Sequence, residues 1–261
     1  MSSLQQTTAL LEQSLRTRRD LLGAAPTGVT RESLDRLKKT PPPQKSEISN
    51  LKSEISRTAQ LAALREAVST CRKCPHLADF RTQTVFGTGN PNADLMFVGE
   101  APGADEDKRG EPFVGPAGEL LTKIIVAMGL KREDVYIANV LKCRPDMPKG
   151  STGNRPPAPQ EMENCLPYLR EQIAIIQPRI LVALGKVAMA GLTGAEESMS
   201  AMRGRWFEFA GIPLLPTYHP SYLLRNGTNA EKRKVWEDMM LVMEKLGLPI
   251  SAKQRGYFQE K

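Results

Sequence analysis

Four short apolar runs separated by helical stretches constrain this chain more than any other feature. Asp94-Leu95-Met96-Phe97-Val98 ends at Gly99, and Val135 to Val140 carries Asn139 near its end. Arg179 to Leu184 is closed by Gly185, and Pro213 to Thr217 leads into Tyr218-His219. Runs of this length, bounded by glycine, proline and polar residues, fit buried strands. Helical periodicity marks Leu61–Val68, Ala117–Met128, Glu161–Ile176, a short stretch through Ala190, and Glu231–Leu246. Such alternation predicts an α/β fold with a parallel sheet and helices on both faces. Ligands in such sheets bind beyond the carboxyl ends of the strands. The residues to inspect are therefore Glu100, Asn139 to Arg144, Gly185-Lys186 and Tyr218-His219.

Composition narrows the setting. With 261 residues, 40% hydrophobic and 25% charged, the chain reads as an ordinary soluble protein of one or two domains. Mean hydropathy is −0.36. No apolar run approaches the roughly 18 residues of a membrane helix, and the N-terminus lacks the basic and apolar regions of a signal peptide. A cytoplasmic protein with no membrane partner is expected. Lys and Arg number 36 against 29 Asp and Glu, a net charge of +7, which permits an anionic partner without naming one. Residues 1–60 hold ten basic and six acidic residues, no aromatic and a triple proline, and read as a disordered basic extension with transient helix. The expected globular domain is 61–250, with 251–261 as a tail.

Four motifs carry candidate chemistry. Gly99-Glu100-Ala101-Pro102-Gly103 places a carboxylate at a strand end between glycines, where a ligand can approach closely. Phe113, held in Pro112-Phe113-Val114-Gly115-Pro116, suits either a rigid stacking platform or a core plug. His219, one of two histidines, follows a strand directly and precedes Pro220. The cysteines Cys71, Cys74, Cys143 and Cys165 are not two compact knuckles. Four thiolates from such distant positions suit an iron–sulfur cluster, with zinc as the alternative.

In order along the chain, these motifs resemble the family 4 uracil-DNA glycosylases. The resemblance rests on Cys71-x-x-Cys74, Val85-Phe86-Gly87-x-Gly89-Asn90-Pro91, Gly99 to Gly103 and Pro112 to Gly115. It continues through Asn139, Lys142-Cys143-Arg144-Pro145, and His219-Pro220 with Leu223-Leu224-Arg225. It covers about 71–246. It implies a three-layer α/β/α sandwich around a four-stranded parallel sheet, and hydrolysis of the bond between uracil and deoxyribose. It further implies a cytoplasmic, nucleoid-directed monomer acting on uracil-containing DNA, single- or double-stranded.

By the same resemblance, Glu100 stands beside the sugar, Phe113 stacks on uracil, Asn139 reads the N3 and O4 edge and His219 faces O2. Gly99 and Ala101 line the base pocket, Leu223 is the wedge that enters the DNA stack, and Ser221 and Arg225 lie at the DNA. Cys71, Cys74, Cys143 and Cys165 hold a [4Fe-4S] cluster. Such a cluster would staple Cys71-Cys74 to the loop after the second strand and aim Lys142, Arg144 and Arg155 at phosphates. The Cys143–Cys165 interval is longer than the family suggests, and its loop, Met147 to Pro157, contains no histidine that could trap DNA covalently. No lysine stands in the motifs as a Schiff-base nucleophile, so a monofunctional hydrolase is expected. Two rivals remain: a glycosylase for another deaminated base, and a non-catalytic DNA-binding member.

Overall fold

The computed structural model describes residues 45–147 and 153–259, with 45–55 as backbone only. The chain divides into compact units 1–53 and 54–261. The expectation of disorder over 1–44 lies outside the described residues. From Lys45 the backbone is helical, and this helix, α1 (Lys45–Ser69), begins well before the expected start at Leu61. The apolar positions Leu61, Leu64 and Val68 are buried, which is the part of the helix that the sequence pattern revealed.

Nine further helices follow among the described residues: α2 (Pro75–Phe80), α3 (Ala104–Arg109), α4 (Pro116–Ala127), α5 (Pro159–Ile176), α6 (Lys186–Thr193), α7 (Met199–Met202), α8 (Pro220–Arg225), α9 (Asn229–Leu246) and α10 (Ala252–Arg255). The strands are β1 (Thr88–Gly89), β2 (Leu95–Gly99), β3 (Tyr136–Asn139), β4 (Ile180–Leu184), β5 (Phe207–Phe209) and β6 (Ile212–Thr217). They form one sheet in the order β1-β3-β2-β4-β6-β5. The four expected strands are the parallel centre, β3-β2-β4-β6.

The four-strand count is corrected by two short antiparallel edge strands. β1 has two residues and no apolar alternation to betray it. β5 pairs with β6 through the two-residue turn Ala210-Gly211, with φ values of 52° and 77°. That is hairpin geometry, but Ala-Gly lacks the Asn-Gly or Asp-Gly signature that makes such turns legible.

Alternation along the strands sorts the core into two layers. Met96, Val98, Tyr136, Ala138, Leu181, Ala183 and Leu214 face Leu61, Leu64, Val68, Leu169, Ile173 and Met189. Leu95, Phe97, Ile137, Ile180, Val182 and Leu215 face Leu121, Ile125, Trp236, Met239 and Met243. The result is the expected three-layer sandwich. Within the expected tail, the described residues 251–259 pack on the second layer: the Tyr257 ring lies 5.2 Å from that of Trp236, whose indole N–H donates to the Gln254 carbonyl at 2.6 Å.

Because Leu64 is 5% exposed in the first layer, Leu64→Ala should lower stability by about 2–5 kcal/mol in urea denaturation. A loss below about 0.5 kcal/mol would show that α1 packs only loosely on the sheet.

Candidate active site at the carboxyl edge of the sheet

Strand register decides which residues meet. Gly99 pairs with Asn139, Val98 with Ala183, and Leu184 with Thr217, so the carboxyl ends of the four parallel strands are level. Glu100, Asn139, Gly185 and His219 therefore share one edge, as the chain order suggested. Gly185 has φ +94°, and a Cβ there would lie 3.1 Å from His219 Cβ, so a glycine is what lets the histidine loop come this close.

Three of the expected residues converge on one point. A Cβ at Gly99 would lie 2.3 Å from Asn139 Oδ1 and 2.6 Å from Phe113 Cζ. Asn139 is 2% exposed, and its Oδ1 is buried without a hydrogen-bond partner. An unmet buried acceptor costs about 1–3 kcal/mol. Such a group marks a place where a ligand's donor belongs. Ala101, next to Glu100, is half-buried against the first core layer.

Phe113 is both buried and poised. Its φ of 53° is in the left-handed region, uncommon for a non-glycine residue. Neighbours hold it there. Arg132 donates to the carbonyls of Pro112 at 2.7 Å and Phe113 at 3.0 Å. The Glu106 carboxylate accepts the N–H groups of Val114, Gly115 and Gly103, each at 3.1 Å, and so ties the loop after β2 to the Phe113 loop. A Cβ at Gly118 would lie 1.8 Å from the Phe113 carbonyl oxygen. The Phe113 ring centroid is 5.5 Å from that of His219.

His219 caps α8, and its Nδ1 accepts the Ser221 backbone N–H at 3.1 Å, with the Ser221 hydroxyl 2.8 Å away. In the neutral ring that bond leaves the proton on Nε2. Burial, then the charge of Arg225, pushes the His219 pKa down to about 4, against a weaker opposing pull from Glu106. The ring is therefore a neutral N–H donor near pH 7. Burial also raises the pKa of Glu100.

Several expectations need correction. Ser221, expected at the DNA, is committed to His219 Nδ1. Leu223, expected as the wedge, is 6% exposed and packed inward, whereas Leu224 is 52% exposed. The helical path of α8 turns successive residues by about 100°, so only one of this pair can point outward. Arg225 is exposed, as a DNA contact requires.

Lys142 was expected near phosphates but is 1% exposed. Its Nζ donates to the Asn139 carbonyl at 2.9 Å and to Gln172 Oε1 at 2.5 Å. Arg155 is ion-paired with Glu161 and Asp146. Arg144 lies over the Phe80 ring and donates to the Gly153 carbonyl at 3.0 Å. Sequence reasoning missed Glu106, Arg132 and Gln172. Polar residues in helices and loops read as solvated until the fold shows what they reach.

Comparisons with known proteins identify the family. A family model described as the uracil DNA glycosylase superfamily matches residues 86–240. A type-4 uracil-DNA glycosylase of Thermotoga maritima is 44% identical over 187 residues, covering 70% of this chain and 93% of the relative. The chain belongs to the type-4 uracil-DNA glycosylases. Another type-4 relative, from Archaeoglobus fulgidus, is 43% identical over 169 residues, 62% of this chain and 81% of its own. A type-5 uracil-DNA glycosylase of Pyrobaculum aerophilum is 32% identical over 185 residues, 59% of this chain and 79% of its own.

In this type-4 family member Cys71, Cys74, Cys143 and Cys165 line one small cavity between α2, α5 and the loop after β3. Among the described residues, His76, Asp146 and Glu161 bring their ligand atoms within 4.8 Å of one another, and the Arg155 guanidinium donates to Asp146 and Glu161. N–H groups reach three of the sulfurs: Arg81 to Cys143 at 2.9 Å, Lys142 to Cys165 at 3.2 Å and Asn164 to Cys74 at 3.4 Å. Donors to thiolate sulfur are what an iron–sulfur cluster uses.

The leucine pair gives a direct test. Leu223→Ala should cost about 2–5 kcal/mol of stability, and Leu224→Ala less than about 0.5 kcal/mol, in urea titrations. The reverse order would mean that α8 presents its other face.

Proposed function

We propose that this chain is a monofunctional uracil-DNA glycosylase that flips uracil from DNA and hydrolyses its N-glycosidic bond, starting base excision repair. The single observation that carries the reading is the buried, unpartnered Asn139 Oδ1 meeting the Phe113 ring at Gly99, with the neutral His219 ring 5.5 Å from that of Phe113. Those three groups suit the flat face, the N3–O4 edge and the O2 atom of one uracil.

The mechanism follows from what each side chain can do. Uracil is unreachable inside a duplex, so it is rotated into the pocket at a cost of a few kcal/mol in stacking and pairing. Phe113 returns part of that cost by stacking. Leu224, the exposed member of the pair, takes the wedge role expected of Leu223, and Arg225 meets a phosphate. Asn139 favours uracil, because cytosine presents an amino group and a bare N3 where uracil presents O4 and N3–H. As the bond breaks, the base leaves as an anion with charge on O2. A preorganised Nε2–H there is worth about 3–4 kcal/mol in the transition state. Neutrality of His219 suits that role, since it donates without transferring its proton. Glu100 stabilises the cationic sugar, and its raised pKa makes it a stronger base toward water.

Cys71, Cys74, Cys143 and Cys165 are the residues that would hold a [4Fe-4S] cluster. Hydrolysis moves no electrons, so the cluster's contribution is to staple α2 and α5 to the loop after Asn139. The protein acts as a monomer in the cytoplasm, on double- or single-stranded DNA.

His219→Ala should lower the single-turnover rate of uracil release by about 10² to 10³, with DNA affinity changed only a few-fold. Glu100→Gln should slow the step by about tenfold or more. A double variant that excises uracil at the wild-type rate would place the active site elsewhere. The pH behaviour has a definite sign. The folded pKa of His219, about 4, lies below its ordinary 6.5, so the unfolded chain binds more protons between these values. This contribution to stability is full above pH 6.5 and is lost as pH falls toward 4. Nitrogen NMR at pH 5.5 should show His219 as the neutral Nε2–H tautomer. A titration midpoint at 6.5 or above would contradict the buried donor.

The anaerobically purified protein should be brown, absorbing near ~400 nm from thiolate-bound iron, and Cys165→Ala should remove the colour. Zinc in a colourless protein would refute the cluster.

A further inference from the structure

Among the described residues, Asp238 is a fully buried carboxylate (0% exposed) on α9, outside every motif of the site. Its Oδ2 accepts the Thr217 hydroxyl at 2.7 Å. Arg203, just after α7, donates from its Nη2 to Oδ1 at 3.0 Å and from Nε to Oδ2 at 3.3 Å. The same guanidinium is anchored on the Lys234 carbonyl of α9. Thr217 is 1% exposed and is the last residue of β6, two before His219. Its carbonyl accepts the Gly185 N–H at 2.9 Å. Both the side chain and the main chain at the root of the histidine loop are thus tied down.

We propose that Asp238, held by Arg203, is a positioning residue for His219, acting through the Thr217 hydroxyl to fix the strand end from which the imidazole projects. The inference rests on the role given to His219 above and deepens it.

Stability alone is a poor reason for this arrangement. A buried carboxylate and guanidinium pay a large desolvation cost, and a well-packed apolar pair of similar volume holds a core as well or better. What the polar triad adds is direction, because a hydroxyl donating to a fixed carboxylate has one preferred orientation. The imidazole is set from its other side by Ser221, whose N–H meets Nδ1. Ser221 orients the ring, while Thr217 and Asp238 locate the backbone that carries it. A misplacement of about 1 Å at a catalytic donor is enough to cost about 10²-fold in rate. The neighbouring strand end has the same design, with buried Lys142 bonded to the Asn139 carbonyl. Both polar residues proposed to read uracil thus stand on backbone secured by a buried charge.

The test uses the full-length protein, with Thr217→Val, Thr217→Ser and Asp238→Asn compared with wild type and His219→Ala. Thr217→Val keeps the side-chain shape and deletes the hydroxyl. It should lower the single-turnover rate of uracil release about tenfold, while the DNA concentration for half-maximal rate stays within about twofold. Thr217→Ser should restore most of the lost rate, and Asp238→Asn should behave like Thr217→Val. With only two histidines in the chain, imidazole NMR gives a readout independent of activity. The His219 Nε2–H resonance should shift in Thr217→Val and Asp238→Asn and return in Thr217→Ser, with His76 unchanged.

A Thr217→Val protein with the wild-type rate and an unshifted His219 signal would overturn the proposal. So would variants in which melting temperature and DNA affinity fall together with the rate and Thr217→Ser brings no rescue, because the triad would then serve the fold alone. Should Asp238→Asn fail to fold, the two threonine variants decide the question. Absence of uracil release from the wild type, or a His219→Ala variant as fast as wild type, would instead remove the proposed function. The NMR comparison would still report whether Thr217 places the ring.

Discussion

Parallel pairing of β3, β2, β4 and β6 in one register is the constraint from which the site follows. Gly99 lies opposite Asn139, and Leu184 opposite Thr217, so the loops leaving these strands start at the same level. A carboxylate, an amide and an imidazole that are distant in sequence then lie at one edge of the sheet without any one segment having to reach far. Their positions are inherited from a sheet buried on both faces, which moves little, and this suits a reaction whose rate depends on donors already in place.

Beneath that edge lies polar machinery that carries no chemistry of its own. Glu106 collects three backbone N–H groups from two loops, Lys142 bonds the Asn139 carbonyl, and Asp238 receives Thr217. Each spends a buried or half-buried charge to fix backbone rather than to touch a ligand. The left-handed Phe113 belongs to the same economy, since Arg132 and the missing Cβ of Gly118 are what make that conformation tenable. At Asn139 Oδ1, buried and unpartnered at this edge, the accounting is left open, and there a substrate would complete it.

The cysteine set joins the loop after β3 to two helices. Cys143 is four residues after Asn139 and one after Lys142, so whatever binds the sulfurs also restrains the segment beneath the amide. The long interval before Cys165 is closed by Arg155, bonded to Glu161 and Asp146, with His76 of α2 on the other side of Glu161 at 2.7 Å. That ion cluster brings α2 and the start of α5 together next to the sulfurs, which is why Arg155 is unavailable to DNA.

The sequence by itself determined the class of fold, the four central strands, the two-sided core and the edge on which the site lies. Each of these rests on local periodicity, and a parallel sheet converts strand order into geometry with few alternatives. Glu100, Asn139 and His219 stood out as candidates because they lie at strand ends, and Phe113 because it sits in a Gly-Pro loop, while the roles of these residues and of the four cysteines came from the resemblance. Only the tertiary structure decided the rest. The edge strands β1 and β5 are too short to carry a pattern. Leu223 and Leu224 are the same residue type in adjacent positions, and the packing of α8 alone turns one inward and the other out. Lys142, Arg155 and Asp238 look like surface charges in a linear reading. What each reaches depends on partners 6 to 35 residues away, brought near only when the sheet and its helices close over them.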